Sequence, residues 1–290
     1  MMTLARLAAR VPLPVLHAFG ATLGHLAYLL APRFRERLCA NLAQAGYVDT
    51  ALARRSSAEL GKGVLELPVL WFRPYAAVLA LVKRVEGEDV IERAEAAGRG
   101  LILLTPHLGA FEMTAQWCAR RAPLTILYRP PRQAALAPLM LAGRSRPNMR
   151  TATTDLAGVR TLLKALRGRH AIGMLPDQVP SRGEGEWADF FGRPAYTMTL
   201  AARLAESTGA PIVITYAERL ARGAGYVVRF EAMPDRRAGE GGAAWVNRAM
   251  EDVVRRLPAQ YLWAYNRYKR PSGAEPPPER SGAPRHPASP

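Results

Sequence analysis

Beyond Glu86 the chain alternates short apolar runs with segments of helical period. That alternation predicts an α/β fold: a mixed, largely parallel central sheet flanked by helices. A charge-free stretch from Val11 to Pro32 predicts an N-terminal hydrophobic helix, and the residues from 34 to 85 read as a helical lead-in to the sheet. The expected organisation is therefore a membrane-associating helix over 1–33, a body over 34–270 divided at 85/86, and a disordered tail over 271–290.

Taken in order, "VPLPVLHAFGATLGHLAYLLAP" (11–32) lies between Arg10 and the cluster Arg33, Arg35 and Arg37. Its length is that of a bilayer span. It also carries His17, His25, Thr22 and two glycines, so lying on a membrane and packing inside the protein stay open beside crossing one, and no small-residue signal-peptide cleavage site follows. The arginines after it favour a cytoplasmic body. In the lead-in, Leu60, Val64 and Leu67 recur at helical spacing, and Pro68 is expected to kink or end the run. Strands are expected over 100–106, 122–130, 170–176, 210–218 and 226–233, and helices over 112–121, 156–166, 197–207 and 244–256. After Arg270 "PSGAEPPPERSGAPRHPASP" has no large apolar residue with which to build a core.

The 290 residues carry a formal charge of +16 with 49% apolar and 22% charged residues. The tail holds Glu275 and Glu279 against Arg280 and Arg285, so the excess belongs to the body. Between Arg120 and His170 eleven basic residues face one acid, Asp155, which implies an anionic partner. Nucleic acid is disfavoured, because there is no aromatic RNA-binding signature, zinc-finger spacing or helix-turn-helix pattern. Only Cys39 and Cys118 are present, far apart and without histidines at ligand spacing, so neither a disulfide framework nor a zinc site is expected.

"LILLTPHLGAFE" (101–112) joins a strand-like run to a helix and carries His107 and Glu112. Were both helical, five residues would set them about 140° apart. They can meet only if His107 sits in the loop at the helix start, where Thr105, Pro106 and Gly109 place it, beyond the carboxyl end of a strand. A histidine oriented by a carboxylate there would be a general base for a substrate hydroxyl. A core-edge histidine with an unrelated surface glutamate satisfies the same spacing.

The ordered blocks "PHLGAFE", "LYRPPR", "RSR", "GVRTLLKALRGRHAIGMLPDQ", "FFGRPAYTMT", "GAPIVITYAERL" and "YLWAYNRYK" resemble the bacterial lipid A biosynthesis late acyltransferase family, within the lysophospholipid acyltransferase superfamily. The resemblance covers most of the chain. It implies a glycerolipid acyltransferase-like fold and makes His107 the base and Glu112 its partner, the two ends of an H-x4-E dyad. It puts Arg129 and Arg144, with Arg146 behind them, on substrate phosphates or the thioester oxygen, and Asp177, Gln178 and Arg182 at the acceptor site. "FFGRP" would form a wall near the site. The first block departs from the family's usual form, with Ala110 and Phe111 where a polar residue and a tryptophan are commoner, which bears on acceptor identity.

What the resemblance implies is an O-acyltransferase at the cytoplasmic face of the inner membrane, peripheral or single-pass. Its donor would be acyl carrier protein or acyl-CoA, its acceptor an anionic glycolipid, and it would need no metal or cofactor. Relatives acylating aminolipids, mannosylated lipids or other hydroxyls share the block order, so another membrane lipid, an aminolipid or lysophospholipid, is the alternative acceptor, and a basic membrane-binding relative without turnover would share the charge.

Overall fold

A computed structural model describes residues 1–131 and 133–278. Arg132 of the "LYRPPR" block and residues 279–290 of the expected tail lie outside the described residues. The tail's described part, 271–278, forms no helix or strand, yet the Trp187 indole donates to the Glu275 carbonyl at 3.0 Å.

The N-terminal third is helical: α1 (Met2–Ala8), α2 (Leu13–Leu30), α3 (Pro32–Gln44), α4 (Thr50–Phe72) and α5 (Tyr75–Leu79). Asp49 caps α4 by accepting from the backbone of Ala51 and Leu52, and prolines begin α2 and α3, where no N–H is needed. α4 runs through Pro68 rather than ending there. The proline forgoes one backbone bond, and it does so where the helix borders a cavity.

The body continues with β1 (Val82–Glu86), α6 (Glu88–Ala96), β2 (Leu101–Leu104), α7 (Phe111–Ala119), β3 (Leu124–Tyr128), α8 (Ala137–Arg144), β4 (Met149–Thr153), α9 (Leu156–Arg167) and β5 (Ala171–Met174). A hairpin, β6 (Gly185–Phe190) and β7 (Arg193–Met198), leads to α10 (Leu200–Thr208), β8 (Ile212–Arg219), β9 (Tyr226–Ala232) and α11 (Gly242–Arg256). The seven-stranded sheet has the order β1-β9-β8-β2-β5-β3-β4. All its pairings are parallel except β8 with β9, the mixed, largely parallel sheet that the alternation predicts. β2, at the centre, buries all four residues between two hydrophobic clusters, as a strand covered on both faces must.

α2 does not stand apart from this body. Its Leu13, Leu16, His17, Gly20, Gly24 and Tyr28 are buried, and its glycines lie against α4. A Cβ added to Gly20 would come within 2.6 Å of the Gly61 carbonyl oxygen, so the two backbones approach as only glycine permits. Beside this seam is a buried ionic network. Arg219, at the end of β8, donates to Glu66 at 2.7 and 2.9 Å and to Glu59 at 2.8 Å; His17 lies 2.9 Å from Glu66, and the Tyr226 hydroxyl donates to it at 3.0 Å.

Burial raises the Glu66 carboxyl, but Arg219, and after it His17, outweigh burial and bring it down to about 2 from an ordinary 4.5. A carboxylate depressed in the folded state contributes stability that is complete above its unfolded value and is lost as pH falls through the folded one. Acid unfolding is therefore expected to set in below about pH 4.5 and to extend toward pH 2. Glu66→Gln strips Arg219 of its bidentate partner and is expected to cost about 3 kcal/mol in urea unfolding at pH 7, with a flatter acid limb. An unchanged midpoint would show that the network does not hold α2, α4 and β8 together.

Candidate active site

The neighbouring parallel strands β2, β5 and β3 end on one edge of the sheet, and each delivers a polar side chain just beyond its end. His107 follows β2 by three residues, Asp177 follows β5 by three, and Arg129 follows β3 directly. Leu104 is paired with Met174, so carrying the register three residues onward sets His107 across from Asp177. Crevices outside the carboxyl ends of such strands are where open α/β sheets bind ligands.

His107 lies in the loop before α7, where the sequence places it. Its backbone N–H donates to Asp177 Oδ2 at 2.9 Å and its ring Nδ1 to Oδ1 at 2.7 Å, a two-point clamp. The loop is otherwise held by Leu262, whose N–H donates to the His107 carbonyl, and by Gly109 and Ala110, which donate to Gln260 and Ala217. Gly109 has φ +57°, and a Cβ there would collide with the Ala217 carbonyl, so the turn requires glycine. Because Asp177 accepts from the Nδ1–H, the acceptor lone pair of the ring lies on Nε2, where the Gln178 amide donates at 3.0 Å.

Asp177 is buried, which raises its carboxyl, but the His107 ring, the two hydrogen bonds from His107 and the charge of Arg267 together hold it below the usual carboxylate range. Burial, and after it the charge of Asp177, push the Tyr261 phenol well above its ordinary value.

Glu112 stands elsewhere than expected. Its carboxylate lies in the first turn of α7 and is taken by others: Arg144, at the end of α8, grips both oxygens, with Nη2 on Oε1 and Nε 3.3 Å from Oε2, and the Trp71 indole donates to Oε2 at 3.1 Å. Among the described residues the acid that orients His107 is therefore Asp177, and Glu112 is the counter-ion of Arg144. Burial lowers the Arg144 guanidinium, but Glu112 outweighs it, and the net shift is upward. The expectation for Arg144 changes accordingly, because a guanidinium held by a carboxylate is not a free phosphate ligand.

His107 and Glu112 nevertheless face one cavity of about 670 Å³, with Arg129, Arg144 and Gln178 also in its wall. The remaining lining is mostly apolar, including Leu67, Phe111, Leu127, Leu139 and Met140. Arg129 donates to the Val179 carbonyl at 3.4 Å and to Ser181 Oγ at 2.8 Å, leaving its charge uncompensated by any described acid. Arg146 is not brought to this wall: it donates to Gln116 at 3.0 Å and to the Leu70 carbonyl at 2.8 Å, tying α4 to α7. Arg182 lines an adjoining open basin of about 850 Å³ together with Arg37, Arg129 and Lys269. "FFGRP" forms the turn of the β6–β7 hairpin; Phe190 and Phe191 are buried in the core and are absent from the cavity wall.

The pairing of His107 with Asp177 has a signal in the sequence. "LLTPH" and "GMLPD" share one pattern, a strand, one residue, a proline and then the polar group, so equal offsets on adjacent strands bring the two groups together.

Comparison with known proteins identifies the family. Residues 1–270 match the family model described as bacterial lipid A biosynthesis acyltransferase. The chain is 27% identical to the lipid A biosynthesis lauroyltransferase of Escherichia coli (strain K12) over 277 residues, 92% of this chain and 90% of that protein. It is 26% identical to the lipid A biosynthesis palmitoleoyltransferase of the same strain, over 91% of this chain and 88% of the relative. A phosphatidylinositol mannoside acyltransferase of Mycobacterium tuberculosis (strain CDC 1551 / Oshkosh) is 28% identical over 65% of this chain and 59% of its own length. With a family match over residues 1–270 and relatives covered over nine-tenths of this chain, the chain belongs to the bacterial lipid A biosynthesis acyltransferase family, and it is an acyltransferase.

Proposed function

We propose that this protein transfers a fatty acyl chain from a thioester donor, acyl carrier protein or CoA, to a hydroxyl of a lipid A precursor at the cytoplasmic face of the inner membrane. The observation that carries the reading is the location of His107 Nε2 in the wall of a 670 Å³ cavity whose other lining is largely apolar. Such a cavity suits an acyl chain with its carbonyl at the polar end. The acceptor hydroxyl displaces Gln178 from Nε2 and gives up its proton there as its oxygen attacks the thioester carbonyl. Asp177 holds the ring in place and steadies the imidazolium. The tetrahedral intermediate collapses to the ester, and the leaving thiolate takes the proton back from Nε2. No covalent acyl-enzyme is required.

Arg129, which makes no ion pair with a described acid, is the group in this wall best suited to a substrate anion or to the developing oxyanion. Glu112 and Arg144 act as a compensated pair that shapes the wall. Arg182, in the adjoining basin, would meet the phosphorylated part of the acceptor. The mannolipid-acylating relative favours one second reading, in which the same site uses another membrane lipid as acceptor.

The experiment offers lauroyl-, myristoyl- and palmitoyl-carrier protein, and the matching CoA esters, with a tetra-acylated lipid A precursor, and reads products by mass spectrometry. One acyl mass increment is expected from wild type; its absence with every donor would remove the lipid A acceptor and favour the second reading. His107→Ala is expected to lower the rate about 10³-fold, and Asp177→Asn at least about 10²-fold.

Glu112→Ala is expected to behave differently. It leaves Arg144 buried without its carboxylate and is expected to cost about 3 kcal/mol of stability along with activity. A Glu112→Ala protein as stable as wild type would return Glu112 to a purely chemical role.

A further inference from the structure

α2 is 18 residues long, about 27 Å, and is the one described helix long and apolar enough to cross a membrane. Its packing argues otherwise. The α1–α2 junction is clamped by Arg73, which donates to the Ala9 carbonyl at 2.6 Å and the Val11 carbonyl at 2.7 Å. The middle of α2 is joined to α4 by the Gly20–Gly61 seam and by His17 on Glu66. At its end Arg35 donates to the Tyr28 carbonyl at 3.2 Å. Leaving the body to cross a bilayer would open the Gly20–Gly61 seam and take the buried His17 away from Glu66.

The opposite face of α2 has no partner among the described residues. Val15, Phe19, Leu23, Leu26 and Leu30 form one exposed stripe, within about 80° of one another by helical geometry. Phe19 is 62% and Leu30 77% exposed. α1 extends this surface with Met1, Leu4 and Leu7, Leu4 being 71% exposed. A continuous apolar surface of this kind marks a contact site. Its surroundings indicate the partner: the first 48 residues hold five arginines, Arg6, Arg10, Arg33, Arg35 and Arg37, against the single acid Glu36. An apolar stripe bracketed by arginines fits the interface of an anionic lipid bilayer. The same helical layer borders the cavity, since Ala5 of α1 and the exposed Val64 of α4 line it.

We propose that α1 and α2 lie in the plane of an anionic membrane, docked on α4, so that the protein enters one leaflet without crossing the bilayer and its acyl cavity borders the lipid. This inference rests on packing and does not depend on the acyl-transfer reading.

The test uses the full chain with a short epitope tag ahead of Met1, expressed in a Gram-negative host. Protease is added to spheroplasts and, separately, to inverted inner-membrane vesicles. Cleavage of the tag only in inverted vesicles is expected, since both ends of α2 then lie on the side of the body. Cleavage in spheroplasts would mean a spanning helix and would overturn the proposal.

A second measurement is flotation of the purified chain with phosphatidylglycerol-containing vesicles. Phe19→Glu and Leu26→Glu change exposed side chains and are expected to lower bound protein about tenfold with an unchanged melting temperature. If these variants float like wild type, or instead break a dimer of two differently tagged copies while flotation persists, the stripe is not the lipid contact and the proposal fails.

Discussion

The site depends on one constraint, the parallel register of β2 and β5. A hydrogen-bonded ladder fixes Leu104 beside Met174, and two short loops of equal length then deliver His107 and Asp177 to the same point. The two-point clamp between them adds orientation to position: one carboxylate oxygen fixes the loop backbone, the other the ring. A slip of one residue would turn the side chains of β2 to the opposite faces of the sheet and separate the pair. The full burial of β2 between the two hydrophobic clusters opposes any such slip.

Electrostatics divides the cations into two groups. Inside the body two arginines are matched by carboxylates, Arg219 with Glu66 and Glu59 and Arg144 with Glu112, while the buried Arg267 donates to neutral oxygens of Tyr196, Thr197 and Asn247. Around the cavity mouth and basin, Arg129, Arg37, Arg182 and Lys269 have no acid partner among the described residues. A positive rim around an apolar interior concentrates anionic, lipid-bearing substrates at the entrance while keeping the acyl chain's surroundings close to neutral.

Much of this fold was legible before any coordinates. The five strands and four helices expected beyond Glu86 are all present, because each is an apolar run or amphipathic stripe long enough to show its period. The two edge strands were not legible. β1 reads "VKRVE" and β4 "MRTAT", and an edge needs little apolar surface. The glycine turn in "FFGRP" was legible from Gly192, but the β6 and β7 strands it joins were not. At the site, His107 and its loop could be placed from Thr105, Pro106 and Gly109. The partner of Glu112 could not, because Arg144 arrives from α8, a helix whose eight residues show no clear stripe, and Trp71 from α4.

The Glu66–Arg219 contact also orders events in time. The two residues are 153 positions apart, so at about 5–20 residues per second a ribosome finishes β8 about ten seconds or more after it has made Glu66. Throughout that interval α2 is complete and the arginine that will bind its neighbour does not yet exist. The nascent chain therefore presents its greasiest segment, with only α4 to pack against, long before the sheet beneath that pair can form. Delivery to a lipid surface during synthesis would precede tertiary folding, and the body would assemble afterwards on a helix already in place.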